Sequence, residues 1–114
     1  MKLQSSELEN GIRLIKLIGA LDITGTYGIE VEFVRQCAGD NVRVLTDLSK
    51  VTYLSSVGIT MLSNTARSVL SRGGRIVLLN PQQSIAEVLD IVGIQQLIPV
   101  FSDLESAKAS LLAA

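Results

Sequence analysis

Short apolar runs typical of β-strands alternate with amphipathic helical segments along the whole chain, and no other feature constrains its fold as strongly. Residues 3–8 and Ile12–Ile18 are strand candidates, and Asn10-Gly11 lies between them. This dipeptide is typical of tight hairpin turns because both residues tolerate positive φ. The first two strands are therefore expected to pair antiparallel.

Helices and strands are predicted to alternate after that hairpin. We expect a loop over 19–25, a helix over 26–38, a strand over 42–48, a loop over 49–56, a helix over 57–72, a strand over 75–79, a short helix opened by the capping box Ser84–Glu87, a short strand over 98–101 and a final helix opened by the capping box Ser102–Glu105. The predicted fold is α/β: one domain over residues 1–114, with a mixed, mostly parallel sheet, an antiparallel N-terminal hairpin and about four helices.

The helix predicted over 26–38 carries apolar residues at helical spacing. One stripe contains Tyr27, Val31, Val34 and Ala38, and Phe33 and Cys37 lie beside it. We expect this stripe to be the face that packs on the sheet. Cys37 lies among these apolar positions, where a small buried residue is favoured over a reactive thiol.

The chain has no histidine, so it lacks the commonest general base and the commonest metal ligand. It contains neither a Gly-x-Gly-x-x-Gly loop nor a Walker lysine loop. Asp22 and Asp47 could approach each other at the edge of the sheet, but the favoured interpretation of each is a hydrogen-bond acceptor in a turn. We therefore expect a non-enzymatic protein with no cofactor and no metal.

The charge balance argues against nucleic acid as a partner, and the short apolar runs argue against a membrane-spanning segment. Ten basic and eleven acidic residues leave a net charge of -1, and Lys and Arg form no run, so nucleic-acid binding is not expected. No apolar run approaches the ~20 residues that cross a bilayer, and residues 1–11 lack the apolar core of a signal peptide. The single cysteine fits a reducing compartment. A cytoplasmic location without direct membrane insertion is expected.

Two serines lie between the predicted strand over 42–48 and the helix over 57–72. Loops at the carboxyl ends of parallel strands form the usual functional edge of an α/β sheet. Ser55 or Ser56 can cap the helix by accepting a backbone N–H bond, and the same N–H groups would stabilise an added phosphate. The residues alone leave both interpretations open, a helix cap or a phosphorylation switch.

This segment resembles the signature of the STAS domain family, Asp-Leu/Phe-Ser-x-Val-x-Tyr/Phe-Leu/Ile/Met-Asp/Ser-Ser-x-Gly-Leu. The matching residues are Asp47-Leu48-Ser49, Val51 and Tyr53-Leu54-Ser55-Ser56-Val57-Gly58-Ile59. Further similar stretches, which extend the resemblance over nearly the whole chain, are Gly19-Ala20-Leu21-Asp22, Gly73-Gly74-Arg75 and residues 88–94. Many members carry Asp-Ser-Ser-Gly, with the phosphorylated serine just before the glycine. Val57 occupies that position here and cannot accept phosphate.

The resemblance implies an anti-sigma factor antagonist, which binds an anti-sigma factor and thereby frees a sigma factor. The implied partners are an anti-sigma serine kinase with a histidine-kinase-like ATPase fold, which phosphorylates the antagonist, and a PP2C-type phosphatase, which resets it. Ser56 is the first choice for the phosphorylated residue, Ser55 the second, and an unphosphorylated protein the third. The partner-binding residues that the resemblance implies are Asp22, Thr24, Tyr53, Leu54, Ser55, Ser56, Val57, Thr60 and Asn64. The alternative is the STAS subunit of a lipid-transport ABC complex that binds its ATPase subunit. A third class is a small enzyme or ligand-binding domain on the same scaffold, and the lack of histidine and of a phosphate loop argues against it.

Overall fold

The computed structural model describes residues 1–113 and contains five strands and four α-helices. In chain order they are β1 Lys2–Glu7, β2 Ile12–Leu21, α1 Ile23–Gln36, β3 Arg43–Leu54, α2 Ser56–Ser71, β4 Arg75–Leu79, α3 Gln83–Ile91, β5 Val100–Phe101 and α4 Leu104–Leu112. Short 3-10 turns lie at Glu9–Gly11 and Ile94–Gln96. The predicted α/β class, the order of the elements and the antiparallel N-terminal hairpin are confirmed.

The strands form one sheet in the order β1-β2-β3-β4-β5. β1 pairs antiparallel with β2, and the other three pairings are parallel. Parallel connections are almost always right-handed, and each one here steps in the same direction across the sheet, so their helices belong on one face. Accordingly, α1, α2 and α3 share one large core with the sheet, while α4 packs on the opposite face over Ile12, Leu45 and Val77.

This topology brings the carboxyl ends of β2, β3, β4 and β5 to one edge of the sheet. Across residues 1–113, neighbouring strands of the sheet follow one another in sequence order, so the strand order never reverses. Open α/β sheets bind nucleotides in the crevice that such a reversal creates. The sheet therefore gathers the carboxyl ends of its parallel strands at one edge without that crevice.

The strands β2 and β3 are longer than the sequence indicates, and the loops predicted over 19–25 and 49–56 are wrong. The added residues pair with each other, from Ile18 with Lys50 to Leu21 with Leu54, and the register shifts twice along the way. These irregularities let Val51 and Leu54 point into the core while the intervening side chains are exposed. The strict alternation that identifies a strand in sequence is lost, so a polar strand looks like a loop.

The helix α1 begins earlier than predicted and presents the opposite face to the sheet. Its buried residues are Thr26, Ile29 and Phe33, whereas Tyr27, Val31 and Val34 are 64%, 71% and 50% exposed. Helix α1 thus carries two apolar stripes, and the residue types in each stripe do not reveal which stripe is buried.

Gly25 decides the orientation of α1. A Cβ at this position would lie 2.1 Å from the carbonyl oxygen of Ala20, so α1 can approach the end of β2 this closely only with a glycine there. Ile29 and Phe33 lie on the same side as Gly25 and are buried, while Gly25 itself is half-buried. The stripe of Tyr27, Val31 and Val34 consequently faces outward.

The two predicted capping boxes are also wrong. The N-cap of α3 is Gln82 and makes no side-chain cap bond, while Ser84 lies inside the helix. The N-cap of α4 is Asp103, whose carboxylate accepts a 2.8 Å bond from the Ser106 N–H, and this bond lowers the pKa of Asp103. Ser102 and Asp103 are both good N-caps, so the sequence cannot tell which of two neighbours performs the role.

Arginines bind the C-termini of two helices. Arg13 and Arg72 donate to carbonyls at the end of α1, and Arg43 and Arg75 donate to carbonyls at the end of α4. The accepting carbonyls are those of Gln36, Cys37, Ala38 and Gly39 in α1 and its C-terminal turn, and of Ser110 and Leu111 in α4. Cations are favourable at these negatively polarised ends. Four of the six arginines therefore stabilise the fold at the C-termini of α1 and α4.

None of the helices within residues 1–113 combines the length and the apolar composition needed to cross a membrane.

Two glycines of α1 offer a matched pair of variants. Gly28 is exposed, and a Cβ there would meet nothing within 4 Å, so Gly28→Ala should raise the free energy of unfolding by about 0.5–1 kcal/mol through helix propensity. Gly25→Ala should lower it by about 1–3 kcal/mol or more, because the new methyl group collides with the backbone of Ala20. Urea denaturation followed by circular dichroism measures both values. Equal effects of the two substitutions would contradict the observed orientation of α1.

Candidate functional site

Ser55 connects the carboxyl ends of β2 and β3. Its backbone N–H donates to the Leu21 carbonyl at 2.9 Å, and its hydroxyl donates to the same oxygen at 2.7 Å. The hydroxyl oxygen also accepts a 3.2 Å bond from the Gly58 N–H, which makes Ser55 the N-cap of α2. The Ser55 hydroxyl is half-buried and is used both as donor and as acceptor, so it has a structural role.

Ser56 is the first residue of α2 and has a different environment. Its side chain is exposed and takes no part in the cap, while its carbonyl accepts a 2.9 Å bond from the Thr60 hydroxyl. The helix cap that the sequence analysis assigned to either serine is therefore made by Ser55. The Ser56 hydroxyl lies at the positively polarised end of the helix and is accessible to another protein.

A shallow groove of about 590 Å³ surrounds these serines. The residues that line it from the ends of β2 and β3 and the starts of α1 and α2 are Asp22, Ile23, Thr24, Tyr53, Leu54, Ser55, Ser56, Val57 and Ile59; Val88 of α3 completes it. Seven of the nine residues assigned to partner binding from the sequence thus lie together: Asp22, Thr24, Tyr53, Leu54, Ser55, Ser56 and Val57.

The other two assigned residues lie farther along α2. Thr60 is exposed one turn beyond Ser56 and does not line the groove. Asn64 lines a separate, smaller groove of about 200 Å³ between α1 and α2, together with Val34 and Arg72. The structure therefore separates Asn64 from the surface around the serines.

Three apolar residues of the groove were missed by the sequence analysis, namely Ile23, Ile59 and Val88. Val88 comes from a helix far away in sequence, and only the sheet topology brings it next to α2. Ile23 is 59% exposed, and Tyr53 beside it in the groove is 55% exposed. Exposed apolar side chains that lie together among polar residues are typical of a surface that binds another protein.

The two aspartates that might have formed an acidic pair are turn acceptors, as the favoured interpretation held. One carboxylate oxygen of Asp22 accepts a 2.7 Å bond from the Gly25 N–H and caps α1. A carboxylate oxygen of Asp47 accepts a 2.8 Å bond from the Ser49 N–H. Across residues 1–113, no three acidic, cysteine or histidine side chains are grouped so that they could hold a metal ion.

Cys37 is buried, which confirms its interpretation as a small core residue. Burial raises the pKa of its thiol to about 12, although the nearby Arg13 and Arg72 act in the opposite direction. The thiol is therefore protonated at neutral pH and is a poor nucleophile.

The pKa of Cys37 predicts a loss of stability at high pH. The unfolded chain releases the thiol proton near its ordinary pKa of 9.0, while the folded chain retains it up to about 12. The stability of the wild type relative to Cys37→Ala should be constant below pH 8 and fall by up to ~1.4 kcal/mol per pH unit above pH 9. Urea denaturation of both proteins from pH 7 to about pH 10.5 measures this difference. A difference that stays constant would contradict the raised pKa.

The unequal roles of the two serines predict unequal effects on stability. Ser55→Ala should lower the free energy of unfolding by about 1–3 kcal/mol, because it removes both the cap and the hydroxyl bond to Leu21. Ser56→Ala should change it by less than about 0.5 kcal/mol, because its side chain is exposed and alanine is a good helix former. Urea denaturation compares the two. A larger loss for Ser56→Ala would contradict the assignment of the cap.

Known proteins share both the sequence pattern and the fold. The family model described as STAS domain matches residues 5–107. BtrV of Bordetella bronchiseptica, provisionally named an anti-sigma factor antagonist, is 27% identical over 110 residues, which cover 96% of this chain and 94% of BtrV.

Two solved structures superpose over nearly their full length. One is an anti-sigma-factor antagonist (STAS) domain protein from Planctomyces limnophilus, with 20% identity, a TM-score of 0.84 and coverage of 97% of this chain and 98% of that one. The other is the anti-sigma factor antagonist SpoIIAA in its unphosphorylated form, with 18% identity, a TM-score of 0.77 and coverage of 99% and 98%. At these identities the likeness shows the fold, and the family match over residues 5–107 shows the relationship. This chain belongs to the STAS domain family.

Proposed function

We propose that this protein is an anti-sigma factor antagonist that acts by binding, and that the groove around Ser56 is its contact with an anti-sigma serine kinase. The support is the near full-length similarity to BtrV together with the gathering of seven implied contact residues at one edge of the sheet. Binding of the kinase would free the sigma factor that the kinase holds. No step of this process requires the antagonist to perform catalysis.

Phosphorylation of Ser56 is the proposed switch. A phosphate adds roughly -1.5 to -2 charges at pH 7. At the first residue of α2 this charge is favourable for the helix by ~0.3–1 kcal/mol, so the fold should survive the modification. In a packed interface the same group adds bulk and must lose water. A penalty of only ~3 kcal/mol would weaken binding about a hundredfold.

The environments of the two serines favour Ser56 over Ser55. A phosphate on Ser55 would replace the hydroxyl hydrogen that is donated to the Leu21 carbonyl, and would place its oxygens beside that acceptor. Repulsion there would weaken the link between β2 and α2. Ser56 carries no such bond in the cap and is exposed to an approaching kinase.

The complete cycle includes a kinase and a phosphatase in the cytoplasm. The unphosphorylated antagonist binds the kinase, the kinase transfers phosphate from ATP to Ser56, and the phosphorylated antagonist dissociates. A PP2C-type phosphatase then restores the free hydroxyl. The alternative of a lipid-transport ABC subunit is not favoured, because the relative that matches nearly the whole chain is named for antagonism of an anti-sigma factor.

A phosphorylation assay with the cognate kinase tests this proposal. The wild type, Ser56→Ala and Ser55→Ala are incubated with kinase, ATP and Mg²⁺, and phosphate is located by mass spectrometry. We expect one phosphate, on Ser56, in the wild type and none in Ser56→Ala. Ser71→Ala, at the far end of α2, is the matched control and should be phosphorylated normally. Phosphate on the Ser56→Ala chain would refute the assignment.

The affinity measurement tests the switch separately. Calorimetric titration of the kinase with unphosphorylated and phosphorylated wild type should show a loss of about a hundredfold. Ser56→Asp should weaken binding less, because aspartate carries less charge and fewer acceptor oxygens than phosphate. Equal affinity of the two wild-type forms would rule out control by phosphorylation even if Ser56 is modified.

A further inference from the structure

A second groove, of about 390 Å³, lies between helices α2 and α3, and we name it the α2–α3 groove. It is lined mainly by Ile59, Ser63 and Arg67 of α2, by Val92 at the end of α3, and by Gln96 and Leu97 of the turn that follows. Its lining therefore combines apolar side chains, neutral polar side chains and one cation.

The α2–α3 groove adjoins the groove at Ser56. Ile59 lines both of them. On α3, Val88 lines the groove at Ser56, and Val92, one helical turn later, lines the α2–α3 groove. A partner that covers the groove at Ser56 and continues between the same two helices therefore reaches the α2–α3 groove next.

Arg67 lies on the same side of α2 as Ser56. It is eleven residues farther along the helix, which is about three turns and about 16 Å, so the two side chains project in nearly the same direction. Both residues are exposed. A standard protein interface buries ~800 Å² on each partner, so one partner can contact both residues at once.

Arg67 is also the arginine whose charge has no partner in the part of the chain that the structure describes. Arg35 pairs with Glu32, and the other four arginines bind carbonyls at the ends of α1 and α4. The lining of the α2–α3 groove includes no acidic residue. The planar guanidinium group can donate two parallel bonds to a carboxylate. The charge of this groove is therefore complementary to a carboxylate from another molecule.

The apolar part of the α2–α3 groove is open to solvent beside this cation. Val92 is 49% exposed, and Ile59 and Leu97 are half-buried. Arginine is enriched in protein interfaces, while most other charged residues are depleted there. An arginine beside exposed aliphatic side chains thus fits a protein segment in which an acidic residue lies next to an apolar one.

We propose that the α2–α3 groove is a second part of the contact with the anti-sigma serine kinase. Arg67 binds a carboxylate of the kinase, and Val92 packs against an apolar side chain beside that carboxylate. This inference rests on the proposed function and adds to it a contact that phosphorylation does not modify. Because Arg67 lies about 16 Å from Ser56 along α2, it strengthens recognition without touching the transferred phosphate.

Calorimetric titration of the cognate kinase, without ATP, tests the role of Arg67. Arg67→Gln should weaken binding about tenfold at low salt, and the difference from the wild type should shrink as salt is added. Arg35→Gln is the matched control, because it removes the same charge from an exposed position on α1, and it should bind like the wild type. Circular dichroism checks that both variants are folded.

A pair of neighbouring substitutions tests the apolar part of the contact. Val92→Glu introduces a charge into the α2–α3 groove and should weaken binding of the kinase at least about tenfold. Ile91→Glu is the matched control, because Ile91 is 84% exposed and lines neither groove, and it should bind like the wild type. An equal loss from both substitutions would refute the assignment to this groove.

The rate of phosphorylation gives an independent test. With the kinase, ATP and Mg²⁺, Arg67→Gln should raise the KM for the antagonist about tenfold and leave kcat unchanged, because the interaction is the same before and during phosphate transfer. A fall in kcat with an unchanged KM would contradict a role of Arg67 in binding alone.

The outcomes separate this inference from the proposed function. A wild type that does not bind the kinase refutes both. If the wild type binds and either Arg67→Gln or Val92→Glu binds equally well, the second contact is refuted and the proposed function stands. Sedimentation analysis of the chain without kinase examines the rival occupant: a dimer of the wild type that Val92→Glu dissociates, with unchanged affinity for the kinase, would assign the groove to a second copy.

Discussion

The carbonyl of Leu21 accepts two bonds from one residue, the backbone N–H and the hydroxyl of Ser55, and this contact fixes the geometry of the candidate site. It is possible only because β2 and β3 remain paired as far as Leu21 and Leu54. The same turn gives α2 its N-cap and therefore its starting point. The positions of Ser56, the groove and the first turn of α1 all follow from this one junction.

In the proposed function, this junction separates the residue that stabilises the fold from the residue that is modified. Ser55 uses its hydroxyl to hold the fold, and its neighbour Ser56 leaves its hydroxyl at the surface. A modification of Ser56 can therefore alter binding without disrupting the link between β2 and α2. Most arginines also have a structural role. Arg13 and Arg72 bind the C-terminal end of α1, and Arg43 and Arg75 bind that of α4. None of the residues that line the groove at this sheet edge is basic.

The sequence predicted the elements whose signals are local. Asn10-Gly11 identified the hairpin, and both residues have positive φ. The amphipathic pattern of α2 placed Ser55 and Ser56 at the carboxyl end of β3, where the groove lies. The errors arose where distant residues decide the outcome. The polar end of β3 is a strand because it pairs with β2, and the buried face of α1 is set by the contact of Gly25 with Ala20.

Composition and periodicity by themselves determined an α/β chain with no histidine chemistry and with a pair of serines before a helix. Only the tertiary structure decided that Ser55 is the cap and Ser56 the exposed hydroxyl, because the acceptor that distinguishes them is a carbonyl 34 residues away. It also decided which apolar stripe of α1 is buried. The apolar character of a side chain indicates that it avoids water. Which apolar side chains are buried is decided by packing against particular neighbours.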